Sequence, residues 1–197
     1  MGRKKSVLVI GTVMIMLLLT ACGSSKGIPD STDYPVEDFS FTNQDNGKLS
    51  LDELKGKVWV ANFIFTNCAD VCLPMTSNMS KLQLALESEG IEGVELVSFS
   101  VDPTVDSPEV LKAFGDNYNA NYENWNFLTG YSQQLIEKFA VESFHTMVSK
   151  PETGDQVIHG TSFYLVDDKG IVVKSYNGLN EFPLDEILKH IKILQNY

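Results

Sequence analysis

The sequence predicts an α/β fold built around a central parallel sheet, and three observations carry this prediction. The run from Val58 to Phe65 is almost entirely apolar, which is typical of a strand buried on both faces. A pair of cysteines, Cys68 and Cys72, follows that run directly. Strand-like and helix-like patterns then alternate along the rest of the chain, which indicates βαβ units.

The segment after the cysteines has the apolar spacing of a helix. The pattern begins at Met75 and Met79 and lasts to about Glu89. Pro74 suits the first helical position, because it lacks an N–H that would otherwise stay unpaired. Leu73 precedes this proline and should therefore avoid helical backbone angles. We expect the helix to begin at Pro74.

The remaining elements complete a recognisable order. The predicted helices run from Ser107-Pro108 to about 118, from a cap at Ser132 to about 141, and from Pro183 to about 194, with strands over 94–101 and 125–128. Hairpins are predicted with strands over 163–166 and 171–176, and with strands over 39–41 and 48–51 around Asp45-Asn46-Gly47. This order resembles the thioredoxin fold. We expect a thioredoxin-like three-layer domain over residues 34–197, with an N-terminal β-hairpin extension.

The N-terminus has the pattern of a bacterial lipoprotein signal. A basic stretch precedes an apolar run from Val7 to Leu19, which is too short for a comfortable membrane span. It ends in Leu19-Thr20-Ala21-Cys22, which resembles a lipobox. We expect a signal peptide over 1–21, a flexible linker over 22–33, and two-point acylation of Cys22 that anchors the domain outside the cytoplasmic membrane. The alternative is an uncleaved anchor with an incidental cysteine.

The charge of the chain excludes one class of partner. The formal net charge is −11, and removing the basic N-terminus makes the remainder more acidic. Nucleic-acid binding requires a basic face, so we expect no nucleic-acid partner. Electrostatic adhesion to anionic lipid is disfavoured for the same reason, which leaves the acyl anchor as the expected contact with the membrane.

Cys68, Cys72 and His159 are the residues with the clearest chemical potential. Two soft thiolates and an imidazole suit copper, and they do not supply the four ligands of a closed structural zinc site. In a thioredoxin-like sheet the loop that carries His159 lies beside the cysteine loop. A helix N-terminus favours anions, so at least one thiol should ionise more easily than a free cysteine. The same spacing also permits a plain stabilising disulfide.

The other soft or titratable side chains have weaker arguments. We expect His145 to be a loop residue and His190 to lie on the exposed side of the last helix. Met75 and Met79 could donate thioethers, but their helical spacing favours core or groove positions. Asp102 follows a strand near the cysteine loop, where it could orient a ligand or hold a positive charge, and Asp106 comes four residues later. We favour turn and cap chemistry for both aspartates and leave them out of the ligand set.

Several motifs together resemble the Sco/SenC family of copper-binding, thioredoxin-like proteins. The matching segments are 63–68, the Cys-x-x-x-Cys spacing, 100–103 with Asp106 and Pro108, 125–130, and 159–166. The resemblance implies ligation of copper, as Cu(I) or Cu(II), by Cys68, Cys72 and His159. It also implies that the protein assists assembly of the dinuclear copper centre in cytochrome c oxidase subunit II. Leu73 departs from the family, in which proline usually follows the second cysteine.

A second function, thiol–disulfide exchange, uses the same two cysteines. Such an enzyme would keep the target cysteines of that oxidase subunit reduced, with Cys68 and Cys72 as its catalytic dithiol. Ordinary thioredoxin-type reductases have two residues between the cysteines, and they carry a cis-proline where this chain has Thr161-Ser162. Both differences favour a metallochaperone, whose further partners would be a copper donor and a thiol reductant. A peroxidase is disfavoured, because Phe65 stands where a peroxiredoxin needs threonine or serine.

Overall fold

The structure, a computed structural model, describes residues 27–68 and 71–196. The signal peptide over 1–21 and the lipidation site at Cys22 lie outside the described residues. Within the described part, Ile28 is buried, and the side chain of Thr32 donates to the carbonyl of Val172 at 2.6 Å. The end of the predicted linker therefore packs against the domain. No helix among the described residues has the length and apolar character needed to cross a membrane.

Strands and helices alternate as the sequence predicts. The strands are β1 (Tyr34–Pro35), β2 (Ser40–Asn43), β3 (Lys48–Ser50), β4 (Val58–Ile64), β5 (Val94–Ser100), β6 (Trp125–Thr129), β7 (Val148–Ser149), β8 (Ile158–His159), β9 (Ser162–Val166) and β10 (Ile171–Asn177). The helices are α1 (Leu51–Leu54), α2 (Cys72–Ser88), α3 (Pro108–Asp116), α4 (Gln133–Phe144) and α5 (Leu184–Leu194). The short elements β1, α1, β7 and β8 were not predicted.

One sheet of eight strands organises the domain. Its order is β1-β10-β9-β4-β5-β6-β2-β3, with β4, β5 and β6 parallel and the flanking strands antiparallel. β4 lies near the middle, and all seven of its residues are buried, as its apolar sequence predicts. Strands β7 and β8 form a separate two-stranded ladder. His159 therefore lies on a ladder that is separate from the large sheet.

Helices cover both faces of the large sheet, which gives the three layers. On one face the ring of Phe99 packs against Phe139 and Phe144 of α4, with centroids 5.3 and 5.8 Å apart. On the other face the ring of Phe127 contacts Phe114 of α3 at 6.4 Å. Buried aromatic contacts of this kind supply much of the apolar burial that stabilises a domain of this size. The predicted thioredoxin-like three-layer fold is confirmed.

The N-terminal hairpin is confirmed as an extension of this sheet. β2 pairs with β3 through an antiparallel register, and β2 also pairs with β6. Asn46, in the predicted turn, has a positive φ of 61°, a conformation that asparagine tolerates well. The hairpin therefore lengthens the large sheet at the β6 side.

The start of α2 corrects the prediction for Pro74. The helix begins at Cys72, and both Leu73 and Pro74 lie within its first turn. Proline is tolerated there because the first N–H groups of a helix have no partner inside the helix. The N–H of Cys72 instead donates to the sulfur of Cys68 at 3.3 Å. This hydrogen bond lets the helix begin at Cys72, two residues before the predicted start at Pro74.

His190 is the second correction. Only 2% of its surface is exposed, so it does not lie on the exposed side of α5. Its Nδ1 lies 2.7 Å from the hydroxyl of Tyr176 on β10. The hydrogen bond makes burial of the imidazole tolerable, and burial lowers the pKa of His190.

Candidate metal centre

The two cysteines lie where β4 gives way to α2. Cys72 is fully buried and Cys68 is 9% exposed, so both belong to the edge of the core rather than to the surface. Both are present as thiols. Because the N–H of Cys72 points at the sulfur of Cys68, the first turn of α2 holds that sulfur close to the helix terminus. The buried strand and the helix thus fix both sulfurs relative to the sheet.

His159 reaches the cysteines from the small ladder. Its Cα is paired with that of Val148 across β7 and β8. The ring Nε2 lies 3.2 Å from the sulfur of Cys72, and the ring packs edge-on against Phe65 with centroids 5.7 Å apart. The ring Nδ1 lies 2.8 Å from the carbonyl oxygen of Gly160.

The contact with Gly160 selects the tautomer of His159. A carbonyl oxygen can only accept, so Nδ1 carries the proton and donates it to this oxygen. Nε2 of the neutral ring is then left with its lone pair, and it lies against the sulfur of Cys72. A backbone carbonyl in this position is a common way to fix the orientation of a metal-binding imidazole.

The three donor atoms form a compact group. The two sulfurs and the imidazole nitrogen all lie within 4.8 Å of one another. Among the described residues, this is the group of three cysteine, histidine or acidic side chains with metal-binding spacing. Two sulfurs and one nitrogen make a soft donor set, which suits copper better than magnesium or calcium.

Cys72 is not a thiol that ionises easily. Its hydrogen bond with Cys68 and its burial raise the pKa of the Cys72 thiol well above the ordinary value. Contact with Cys68 and burial thus outweigh the helix dipole at Cys72, and the prediction that at least one thiol ionises more easily than a free cysteine can hold only for Cys68. A bound metal ion reverses this balance, because a coordinated thiol gives up its proton.

Asp106 holds the segment before Cys68 in place through hydrogen bonds. It is fully buried, and its carboxylate accepts from the hydroxyls of Thr66 and Ser100, each at 2.5 Å. It also faces the N–H of Thr66 at 3.3 Å. Burial raises the pKa of Asp106. Turn and cap chemistry alone does not describe this residue, because its side chain ties the segment before Cys68 to the end of β5.

Asp102 pairs with a positively charged side chain, which is one of the roles that the sequence analysis considered for it. Its buried carboxylate accepts from the ammonium group of Lys150 at 2.6 Å, and the hydroxyl of Thr104 donates to the same oxygen at 2.9 Å. The cap of α3 comes from Ser107. Both aspartates lie outside the group of three donor atoms, as the sequence analysis predicts.

The remaining candidates occupy structural positions. Met75 and Met79 are fully buried in the core. His145 follows α4 with a positive φ of 52°, and its ring stacks on Tyr34 with centroids 3.8 Å apart.

Three residues near the site were missed by the sequence analysis. The side chain of Asn67 donates to Asp155 at 3.1 Å, and the side chain of Gln156 donates to the carbonyl of Asn67 at 3.0 Å. These bonds join the cysteine loop to the segment before His159. The only sequence signal was proximity, since Asn67 precedes Cys68 and Gln156 lies three residues before the histidine.

Comparisons with known proteins agree with this architecture. Residues 29–195 match the SCO1/SenC family. The SCO1 protein homolog of Bacillus subtilis is 52% identical over 179 residues, which cover 91% of this chain and 92% of that protein.

Two solved structures are also similar. A SCO1/SenC family lipoprotein from Bacillus anthracis is 49% identical with a TM-score of 0.83, over 86% of this chain and 99% of that one. BsSco, described as a member of the Sco family of cytochrome c oxidase assembly proteins with a disulfide switch, is 52% identical with a TM-score of 0.79, over 85% of this chain and 96% of that one. On the extent of the family match and of these identities, the chain belongs to the SCO1/SenC family.

Proposed function

We propose that this protein binds one copper ion through the sulfurs of Cys68 and Cys72 and through Nε2 of His159. The observation that carries the proposal is the soft donor set itself, with all three atoms within 4.8 Å of one another. Two thiolates favour Cu(I), and the imidazole completes a trigonal set. With a further ligand, the same residues can hold Cu(II), whose bond to sulfur gives a charge-transfer absorption band.

The protein's own residues prepare the site for the metal. The carbonyl of Gly160 fixes the imidazole proton on Nδ1, so Nε2 needs no tautomer change before it ligates. Both thiols must release their protons when copper binds, and the raised pKa of Cys72 makes binding stronger as pH rises. Burial of both sulfurs limits access of water and oxidants to the bound ion.

The biological task that we propose is assembly of the dinuclear copper centre of cytochrome c oxidase, with subunit II as the recipient. The similarity to BsSco supports this task, because that relative is described as an oxidase assembly protein. We further propose that lipidated Cys22 tethers the domain to the outer side of the cytoplasmic membrane. The lipobox-like sequence supports the tether, and the similar Bacillus anthracis protein is described as a lipoprotein. A copper donor and a thiol reductant would be further partners.

Thiol–disulfide exchange remains the second candidate, and the arrangement of the two thiols favours it specifically. Cys68 is the more exposed sulfur, and the N–H of Cys72 points at it. A hydrogen bond of this kind stabilises a thiolate, so Cys68 is the sulfur that would attack a target disulfide. Cys72 would then attack Cys68 to release the reduced target and leave a Cys68–Cys72 disulfide in this protein.

Copper titration of the purified, reduced protein tests the binding proposal. The parent should bind one ion per chain. Cys68→Ser should bind at least about 100-fold more weakly, because one of the three proposed ligands is lost. His145→Ala is the matched histidine control and should bind like the parent, since His145 lies outside the donor group. Parent-like binding by Cys68→Ser would refute the assignment.

Complementation separates the two functions in a cell that lacks the protein. If copper delivery is the task, His159→Ala and the double variant Cys68→Ser with Cys72→Ser should both fail to restore oxidase activity, and added copper should restore it in part. If reduction is the task, His159→Ala should restore most of the oxidase activity, and an added thiol should replace the missing protein. Mass spectrometry of membrane-extracted protein, with diacylglycerol on Cys22 as the expected result, tests the tether.

A further inference from the structure

The segment that carries His159 is held to the domain mainly by side chains. We call residues 148–159, from β7 to β8, the histidine strap. Its two strands pair only with each other, through Val148 with His159 and Ser149 with Ile158. The position of His159 relative to the cysteines therefore depends on contacts that the strap makes with the rest of the molecule.

Two contacts of Lys150 hold the beginning of the strap, one to the loop after β5 and one to α4. The ammonium group of Lys150 lies 2.6 Å from the buried carboxylate of Asp102, and the N–H of Lys150 donates to Glu137 of α4 at 2.9 Å. These bonds fix the strap where it leaves β7. They lie at Lys150, nine positions before the imidazole, and so leave the later part of the strap to be held by other groups.

In that later part the side chain of Val157 is buried in the core, and two hydrogen bonds, both ending on Asn67, hold the exposed residues before it. The amide of Asn67 donates to the carboxylate of Asp155 at 3.1 Å. The amide of Gln156 donates to the backbone carbonyl of Asn67 at 3.0 Å. Asn67 is the residue immediately before Cys68, so these bonds connect the chain next to one proposed ligand with the chain three residues from another.

We infer that Asn67 is a positioning residue for the metal centre, which clamps the histidine strap onto the cysteine loop through Asp155 and Gln156. This inference rests on the proposed copper site. The clamp sets how closely Nε2 of His159 approaches the two sulfurs. It should matter most for Cu(II), which needs the imidazole, and least for Cu(I), which two thiolates satisfy more fully.

The exposure of the clamp makes the inference testable without unfolding the protein. Asn67, Asp155 and Gln156 are all exposed, and exposed hydrogen bonds contribute little to the stability of a fold. Their effect on ligand geometry is separate, because outer partners of metal ligands commonly change metal affinity by about tenfold or more. Loss of the clamp should thus change the metal site and leave the thermal unfolding midpoint unchanged.

Asn67→Ala in the full-length, reduced protein is the first test. The dissociation constant for Cu(II) should rise about tenfold, and the sulfur-to-copper absorption band should shift. The constant for Cu(I) should change less than about threefold. In the metal-free protein, the ring resonances of His159 in an NMR spectrum should broaden or move, which provides a readout independent of copper.

An exchange of the two partners is the sharper test. Asn67→Asp alone places two carboxylates opposite each other and should weaken Cu(II) binding. Combination with Asp155→Asn restores one donor and one acceptor, so the double variant should recover most of the lost affinity and the parent spectrum. Glu152→Gln is the control, because Glu152 is an exposed acidic residue on the same strap with no hydrogen bond described for it.

The outcomes separate this inference from the proposed function. Asn67→Ala removes the bond to Asp155 and keeps the backbone carbonyl that accepts from Gln156. If the parent binds copper and His159→Ala weakens binding while Asn67→Ala matches the parent, the positioning role of the Asn67 side chain is refuted and the copper site stands. Failure of the double variant to improve on Asn67→Asp also overturns the clamp. If the parent binds no copper, or if His159→Ala binds Cu(II) like the parent, the proposed site itself fails and the clamp fails with it.

Discussion

The cysteine side and the histidine side of the metal centre are built in different ways. The cysteines join a fully buried strand, β4, to the long helix α2, and at most 9% of either residue is exposed. His159 lies on a two-residue strand outside the eight-stranded sheet. The sulfurs are therefore positioned by the core, whereas the imidazole is positioned by a strap and its side-chain contacts.

This difference suits the proposed function, in which the bound metal must also be released. A site built entirely into the core would resist rearrangement, because packed interiors are dense and deform little. Here one ligand lies on a strap that is anchored by two buried side chains, Val148 and Val157, and otherwise by exposed or half-buried bonds, so it can withdraw while both sulfurs stay in place. We expect the histidine side to open before the fold does, since segments with few buried contacts open at low free-energy cost.

Removal of the Asp106 carboxylate should produce the largest loss of stability on the cysteine side. Asp106→Ala would leave the half-buried hydroxyl of Thr66 and the buried hydroxyl of Ser100 without their acceptor, which costs about 2–3 kcal/mol. Chemical denaturation of the metal-free protein measures this loss. Asp106→Asn keeps a carbonyl acceptor and is the matched control, with a smaller loss expected. An Asp106→Ala protein as stable as the parent would show that the core does not hold the cysteine loop in this way.

Loss of Lys150 should have a smaller effect on stability and should act on the histidine side. Lys150→Met leaves the Asp102 carboxylate buried without its cation, and the pair is partly exposed at Lys150, so we expect a loss of about 1–2 kcal/mol. Hydrogen exchange should increase in the strap and remain unchanged in α2. Addition of Asp102→Asn should recover part of the stability. An equal increase of hydrogen exchange in the strap and in α2 would contradict the proposal that the two sides of the metal centre are positioned independently.

Acid should weaken the fold of the metal-free protein through His190, which lies outside the metal centre. Burial lowers the pKa of His190 in the fold, so its stabilising effect is complete above the ordinary value of 6.5 and is lost as pH falls through the lower folded value. Glu186 opposes this shift, whereas Lys174 and Lys189 add to it. The unfolding midpoint of the parent should fall more steeply below pH 6.5 than that of His190→Gln. Identical pH profiles would contradict this assignment.

Local patterns explain why so much of the fold could be predicted. The apolar run of β4, the Asn-Gly turn of the first hairpin and the serine caps of α3 and α4 each act within a few residues. The predicted start of α2 was wrong because a sulfur from the preceding loop accepts a hydrogen bond from the N–H of Cys72. The burial of His190 was missed because its partner, Tyr176, belongs to another element.

The candidate site could likewise be predicted only in part. The topology brings the loop of His159 beside the cysteine loop, which the fold resemblance implied, although ligation of copper by these residues stays a prediction. The support around them could not be foreseen, because the bond between Asn67 and Asp155 joins residues 88 positions apart. The pairing of Lys150 with Asp102 likewise depends on where β7 is placed relative to β5. Short strands such as β7 and β8 carry too few residues to show a periodic pattern.

X-ray absorption at the copper edge tests the central claim most directly. In the reduced, copper-loaded parent we expect two sulfur ligands and one imidazole nitrogen in the first shell of the ion. In His159→Ala the two sulfurs should remain and the imidazole signal should disappear, because the cysteine side is positioned independently of the strap. A first shell with fewer than two sulfurs in the parent, or an imidazole signal that persists in His159→Ala, would contradict the account.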